Sequence, residues 1–155
     1  MGGVRSVGPA LRRRPRGVGR IVGDDEDQVR RTIAAYSQHC DDGRFDQWSD
    51  LFAADAHLVL GGQTTEGRDD IRRYMESVQP PEARGKHITA NSLVEVDGDT
   101  AVARTDYLFV RAGAEGLTMV ATGRYHDHLV RDGSRWRFRR REITLLGLPE
   151  GSTGD

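Results

Sequence analysis

Apolar residues recur at helical intervals in the first half of the chain and at alternate positions in the second. Val29, Ile33, Tyr36 and Cys40 form one helical stripe. Asp24-Asp25-Glu26-Asp27 stands where a helix N-terminus favours negative charge, and Gly43 predicts the end of that helix. A shorter helix is expected over FDQWSDLFAADA (45–56), with Trp48, Leu51 and Phe52 on its apolar side. HLVL (57–60) reads as a short strand and Gly61-Gly62 as a turn. Gly67 then introduces a third helix, RDDIRRYMESV, which stops at Pro80-Pro81 and uses Tyr74 and Met75 for packing.

Beyond residue 85 the period changes to two. KHITANSLVEV, TAVARTDYLFV, LTMVATGRYHDHLV and RWRFRRREITLLG read as four long strands joined by hairpin signals such as Asp97-Gly98 and Asp132-Gly133. Helices followed by an antiparallel meander give an α+β fold with the helices on one face of the sheet. The first long strand carries His87, Thr89, Asn91 and Leu93 on one side, and Ile88, Ala90, Ser92, Val94 and Val96 on the other. Both sides look partly buried, and one is polar near its start. The third has Leu117, Met119, Ala121, Gly123 and Tyr125 on a single side, and the second has Ala103, Thr105, Tyr107 and Phe109. Small residues mixed with aromatic ones leave room where uniformly large side chains would fill it. The expected architecture is a cone-shaped barrel of a strongly curved, mainly antiparallel sheet, covered by three N-terminal helices and enclosing a pocket.

Composition changes this picture at the ends. Residues 1–22 hold six of the 23 basic residues and no acid, which leaves 17 against 24, a net of −7, for residues 23–155. An acidic folded part argues against a nucleic-acid surface. The Gly-, Pro- and Arg-rich stretch 1–22 reads as a disordered basic extension, 23–147 as one domain and 148–155 as a flexible tail. No window could span a bilayer, and no signal-peptide stretch follows the RRR run. The single cysteine, Cys40, rules out an internal disulfide and fits a reducing, cytoplasmic setting.

Tyr36-x4-Asp41 within CDDGRFDQWSDLFAADA, GGQTTEGRDDIRRYM, KHITAN, VEVDGDTAVARTDYLFV and GRYHDHLVRDGSRWRF occur in an order and spacing that resemble the SnoaL-like group of the nuclear-transport-factor-2-like superfamily. The resemblance covers roughly residues 24–146. It implies an Asp–His pair, Asp41 with His87, acting on a small-molecule substrate without metal or organic cofactor, as in dehydratases and dehydrochlorinases of this group. Arg141, five residues after Trp136, matches an arginine of the dehydrochlorinase. The candidate substrate-binding positions are Tyr36, Trp48, Leu58, Asn91, Tyr107, Phe109, Met119, Ala121, Tyr125 and Arg141. Relatives also include SnoaL-type polyketide cyclases and a non-catalytic dioxygenase subunit, so cyclisation and simple binding stay open.

The chemistry suits the residues. Abstracting a proton from carbon needs a base such as histidine, and a carboxylate on its other nitrogen fixes the tautomer. Plainer uses exist for each residue. His87 could be a structural histidine, and Asp42 competes with Asp41. Strict alternation groups Arg141 with Arg137 and Arg139 on a solvated side. His126-x-His128 reads as a solvated face rather than a metal site, with Asp127 pointing the other way. Val102, Leu108, Val120 and Val130 on the outer sheet face predict a homo-oligomer, a dimer or trimer.

Overall fold

The computed structural model describes residues 22–147. The extension expected over 1–22, apart from Val22, and the tail expected over 148–155 lie outside these described residues. Helix α1 (Val22–Asp41) buries Val29, Ile33, Tyr36 and Cys40, the predicted stripe. It ends on a glycine in the left-handed region, Gly43 at φ 69°. The Arg44 amide donates to the His39 carbonyl at 2.8 Å and the Gly43 amide to that of Cys40 at 3.0 Å. This reciprocal closure ends the helix at Asp41.

Helix α2 (Phe45–Ser49) is much shorter than expected, because strand β1 (Phe52–Leu60) starts at the residue read as its apolar side. The backbone there is claimed by the last strand. Phe52 pairs with Phe138, the Phe138 amide donates to the Leu51 carbonyl at 2.8 Å, and the two rings lie 5.3 Å apart. Tertiary pairing overrides the local helical period. Gly61-Gly62 then turns the chain into β2 (Gln63–Glu66), a polar edge strand that offers no hydrophobic alternation to detect. Helix α3 (Arg68–Val78) buries Ile71 and Met75. Strands β3 (Lys86–Asp97), β4 (Thr100–Gly113), β5 (Gly116–Asp132) and β6 (Arg135–Leu145) form the predicted meander.

The six strands lie in the order β2-β1-β6-β5-β4-β3, with β1 and β6 parallel and every other pair antiparallel. The sheet is curled rather than closed into a barrel, and its concave side is covered by the helices. Gly123 marks one tight point, since a Cβ there would stand 1.8 Å from the Thr144 carbonyl oxygen. Tyr36, Trp48, Phe52 and Phe138 fill the narrow end with mutually tilted rings.

Three bulges decide which side chains face inward. In β3 the pairing jumps from Ala90↔Asp106 to Leu93↔Arg104, so two residues, one of them Asn91 at φ 52°, oppose Thr105. His87 and Thr89 precede the jump, and Ser92, Val94 and Val96 continue the inner face after it. The expected run His87-Thr89-Asn91-Leu93 is therefore broken, and Asn91 and Leu93 sit outside. Between Phe109↔Ala121 and Val110↔Met119 an extra residue, Val120, sends Met119 outward. Between Leu129↔Phe138 and His128↔Arg140 the extra residue is Arg139, and this turns Arg141 inward with Trp136 and Phe138 instead of outward with Arg137 and Arg139. A two-for-one bulge reverses side-chain parity, which is how a strict period of two misplaces every residue beyond it.

Candidate active site

Asp41 ends α1 and His87 opens β3, so helix termination and strand start bring them together. The Asp41 carboxylate is spent entirely on that one residue. Oδ2 accepts the His87 backbone amide at 3.0 Å and Oδ1 accepts the ring Nδ1–H at 2.6 Å. The side chains are 3% and 13% exposed, respectively. A carboxylate can only accept here, so it holds the proton on Nδ1 and leaves Nε2 as the nitrogen available to a ligand. The imidazole is stacked on Phe109 at 4.4 Å between ring centres, which fixes its plane.

His87 forms part of the wall of a cavity of about 200 Å³. Of the predicted substrate-binding residues, Tyr36, Tyr107, Phe109, Ala121 and Tyr125 share that wall. Trp48 and Leu58 do not; both are buried in the core, Trp48 against Tyr36 at 5.1 Å. Asn91 is exposed on the outer face beside Asp106, and Met119 is 64% exposed. Met75, read from sequence as packing only, lines the cavity, as do Cys40, Gln79, Ile143 and Leu145. Ile143 and Leu145 follow Arg141 at alternate positions, so the bulge that hid Arg141 hid them too. The end of α3 and residue Gln79 contribute to the cavity wall, a part that strand patterns could not reveal.

Arg141 stands one layer behind this wall. It is fully buried and donates Nε–H and Nη2–H to the two oxygens of Asp127, each at 2.7 Å. Its guanidinium lies 4.0 Å from the ring centre of Tyr36, 4.1 Å from that of Tyr125 and 4.2 Å from that of Phe138. Burial works against its charge, but Asp127 and the flanking tyrosines outweigh burial and hold it more firmly protonated than usual. Tyr125 is stacked in turn on Tyr107, 4.4 Å apart and nearly parallel. His126 and His128 face outward while Asp127 faces inward, and among the described residues no group of three or more His, Cys, Asp or Glu could hold a metal ion.

Burial pushes the phenols of Tyr36 and Tyr125 well up, and that of Tyr107 up to about 12. Burial, helped by the Asp41 carboxylate, pushes the Cys40 thiol up to about 12. The cavity therefore presents neutral donors at physiological pH. These groups titrate higher in the fold than their ordinary values of 9.0 for Cys40 and 10.0 for Tyr107. Their stabilising contribution is full below those values and is lost as pH rises towards about 12. Urea midpoints are expected to fall steadily across that alkaline window, and a flat profile there would contradict the buried phenols and thiol.

The SnoaL-like domain family matches residues 23–142. An uncharacterised protein of Mycobacterium tuberculosis is 31% identical over 126 residues, covering 77% of this chain and 84% of its own. Among solved structures, a Mycobacterium tuberculosis protein of unknown function is 26% identical with a TM-score of 0.78, covering 85% of this chain and 79% of that one. A candidate scytalone dehydratase from Novosphingobium aromaticivorans has a TM-score of 0.73 at 19% identity, over 86% of this chain and 91% of its own. No helix among the described residues is long and apolar enough to cross a membrane.

Proposed function

The chain belongs to the SnoaL-like family, and from that premise we propose that it is a cofactor-independent lyase or isomerase of an apolar, ring-containing small molecule. His87 is the general base, Asp41 its orienting partner, and the cavity tyrosines hold the substrate oxygen. The observation that carries this reading is the double acceptance of His87 by one buried carboxylate, with the imidazole set in the wall of an aromatic-lined cavity. A merely structural histidine needs no such fixed tautomer, nor a second nitrogen left free beside a cavity.

The step is a proton abstraction. Nε2 takes a proton from the carbon next to a ring carbonyl, and the C–H electrons move onto the carbonyl oxygen. Tyr36 or Tyr125 hydrogen-bonds that oxygen as its charge develops. In a dehydration the carbonyl re-forms, the bond to the hydroxyl on the next carbon breaks, and the imidazolium returns its proton to the departing oxygen as water. In an isomerisation the proton returns to a different carbon. A structural neighbour described as a candidate scytalone dehydratase is compatible with this scheme. With walls of Met75, Phe109, Ile143 and Leu145, the cavity suits a neutral, mostly hydrocarbon ring.

Incubating the chain with cyclic ketones and hydroxyketones in deuterium oxide tests the proposal without knowing the leaving group. Catalysed exchange of the hydrogen beside the carbonyl, followed by NMR, is the expected result. Ring ketones that bind but never exchange would defeat the base mechanism.

The outer sheet face leaves Ile88, Leu93 and Val102 at 53%, 62% and 42% exposure, enough apolar surface for self-association. Of the four residues expected there, Val102 and Val120 are exposed, whereas Leu108 and Val130 are half-buried, Val130 against the core. The chain pairs through this face as a dimer. Sedimentation at micromolar concentration is expected to report twice the chain mass, and a monomer throughout would refute the pairing.

A further inference from the structure

We propose that Arg141 is a positioning residue rather than a substrate contact: with Asp127 it forms a charged backing that strengthens Tyr36 and Tyr125 as donors to a substrate oxygen on which negative charge develops. This rests on the cavity reading above and deepens it, because it selects ligands that carry or develop negative charge on an oxygen, ring ketones and phenols, over neutral ethers.

The first argument is cost. Both side chains of the pair are 0% exposed, and Arg141 Nη1 has no acceptor in hydrogen-bonding geometry. A buried ion pair is commonly no more stable than apolar residues of the same volume, and an unmatched buried donor is a further penalty. Stability does not account for an arginine here.

The second is placement. The chain reaches this arrangement only through the bulge at Arg139, which turns Arg141 away from solvent. Asp127 occupies the Nε and Nη2 edge of the guanidinium, while the rings of Tyr36 and Tyr125 lie at 4.0 and 4.1 Å. Those two tyrosines line the cavity and Arg141 does not. The cation thus touches both rings without lining the ligand space, so it can act on a ligand through the phenols.

The third is electrostatic direction. A phenol that donates to an oxyanion takes on negative character, and a cation at its ring face stabilises that change. Burial opposes an anion on Tyr36 most strongly. Arg141 is the largest effect favouring it and outranks the opposing effect of Asp127, so the counter-ion does not cancel the backing. Around Tyr36 the charged or titratable groups are Arg141, Cys40, Asp127 and Tyr125, and only the arginine is cationic.

The test uses para-nitrophenol, whose ionised form is visible by absorbance, against para-nitroanisole, which has the same ring but no ionisable oxygen. The native chain is expected to prefer the phenolate to the ether. In the paired variant Asp127→Leu/Arg141→Met, that preference should fall by about tenfold or more, the worth of a hydrogen bond to a charged group, while affinity for the ether stays level. Arg141→Lys should recover part of the preference. Tyr36→Phe and Tyr125→Phe, which keep the packing, should each lower it and serve if the paired variant does not fold. A His87→Ala background removes any share due to the imidazole, and the preference should survive there. A paired variant or pair of Phe variants with undiminished preference would overturn the proposal. Equal native affinity for both probes would sink the backing but leave the cavity reading standing, and failure of both probes to bind would sink the two together.

Discussion

Replacing His87 by alanine is expected to lower turnover by about 10²–10⁴-fold, the usual share of a positioned general base, with ring binding retained and the melting temperature lowered, because the buried Asp41 carboxylate loses its side-chain partner. The imidazole is 13% exposed in a cavity wall, so its loss opens space beside Phe109 without uncovering the tilted rings of the narrow end. Asp41→Asn separates orientation from presence. An asparagine can still accept the His87 amide through its oxygen, but its NH2 would then face Nδ1. That favours the tautomer with the proton on Nε2, which has no lone pair to receive a substrate proton. The expected outcome is a folded, ligand-binding chain about as slow as His87→Ala. Steady-state rates together with equilibrium binding of para-nitroanisole check both variants, and an Asp41→Asn chain of native activity would show that the carboxylate does not set the tautomer.

Asp127→Ala is expected to destabilise the fold by about 3–5 kcal/mol, because it leaves the Arg141 cation buried with no counter-charge. The remaining neighbours replace the carboxylate poorly: the Tyr36, Tyr125 and Phe138 rings lie at 4.0 to 4.2 Å, and neither they nor the Tyr36 hydroxyl beside the guanidinium carries a formal counter-charge. Removing both charges as Asp127→Leu/Arg141→Met should restore most of the loss, since two apolar side chains of similar length refill the volume. Chemical denaturation of the single and paired variants measures the difference. A single variant no weaker than the paired one would mean that Arg141 finds another partner or reaches solvent.

What the sequence disclosed follows from the range over which each signal acts. The stripe on α1, its end at Gly43, the third helix and the four long strands are local patterns, and all appear where expected. The start of β1 was illegible because it is set by Phe138, far along the chain, and β2 because an exposed edge strand needs no apolar residues. The meeting of Asp41 and His87 could be inferred only through resemblance to a known family, since no periodicity links residues on separate elements. Asn91, Met119 and Arg141 share one cause of misreading. Each lies in or beyond a bulge, and nothing in ALTERNATION itself marks where a strand gains a residue. The doubled apolar character of KHITANSLVEV was in fact the trace of such a phase change, with Asn91 in the left-handed conformation that asparagine tolerates better than most side chains.

The most direct measurement of the central claim is heteronuclear NMR of the His87 ring nitrogens in the free chain and with a ring ketone bound. The account predicts a proton on Nδ1, a bare Nε2, and a shift of the Nε2 resonance when the ketone enters. A proton resident on Nε2, or an Nε2 signal indifferent to every ring that binds, would contradict it.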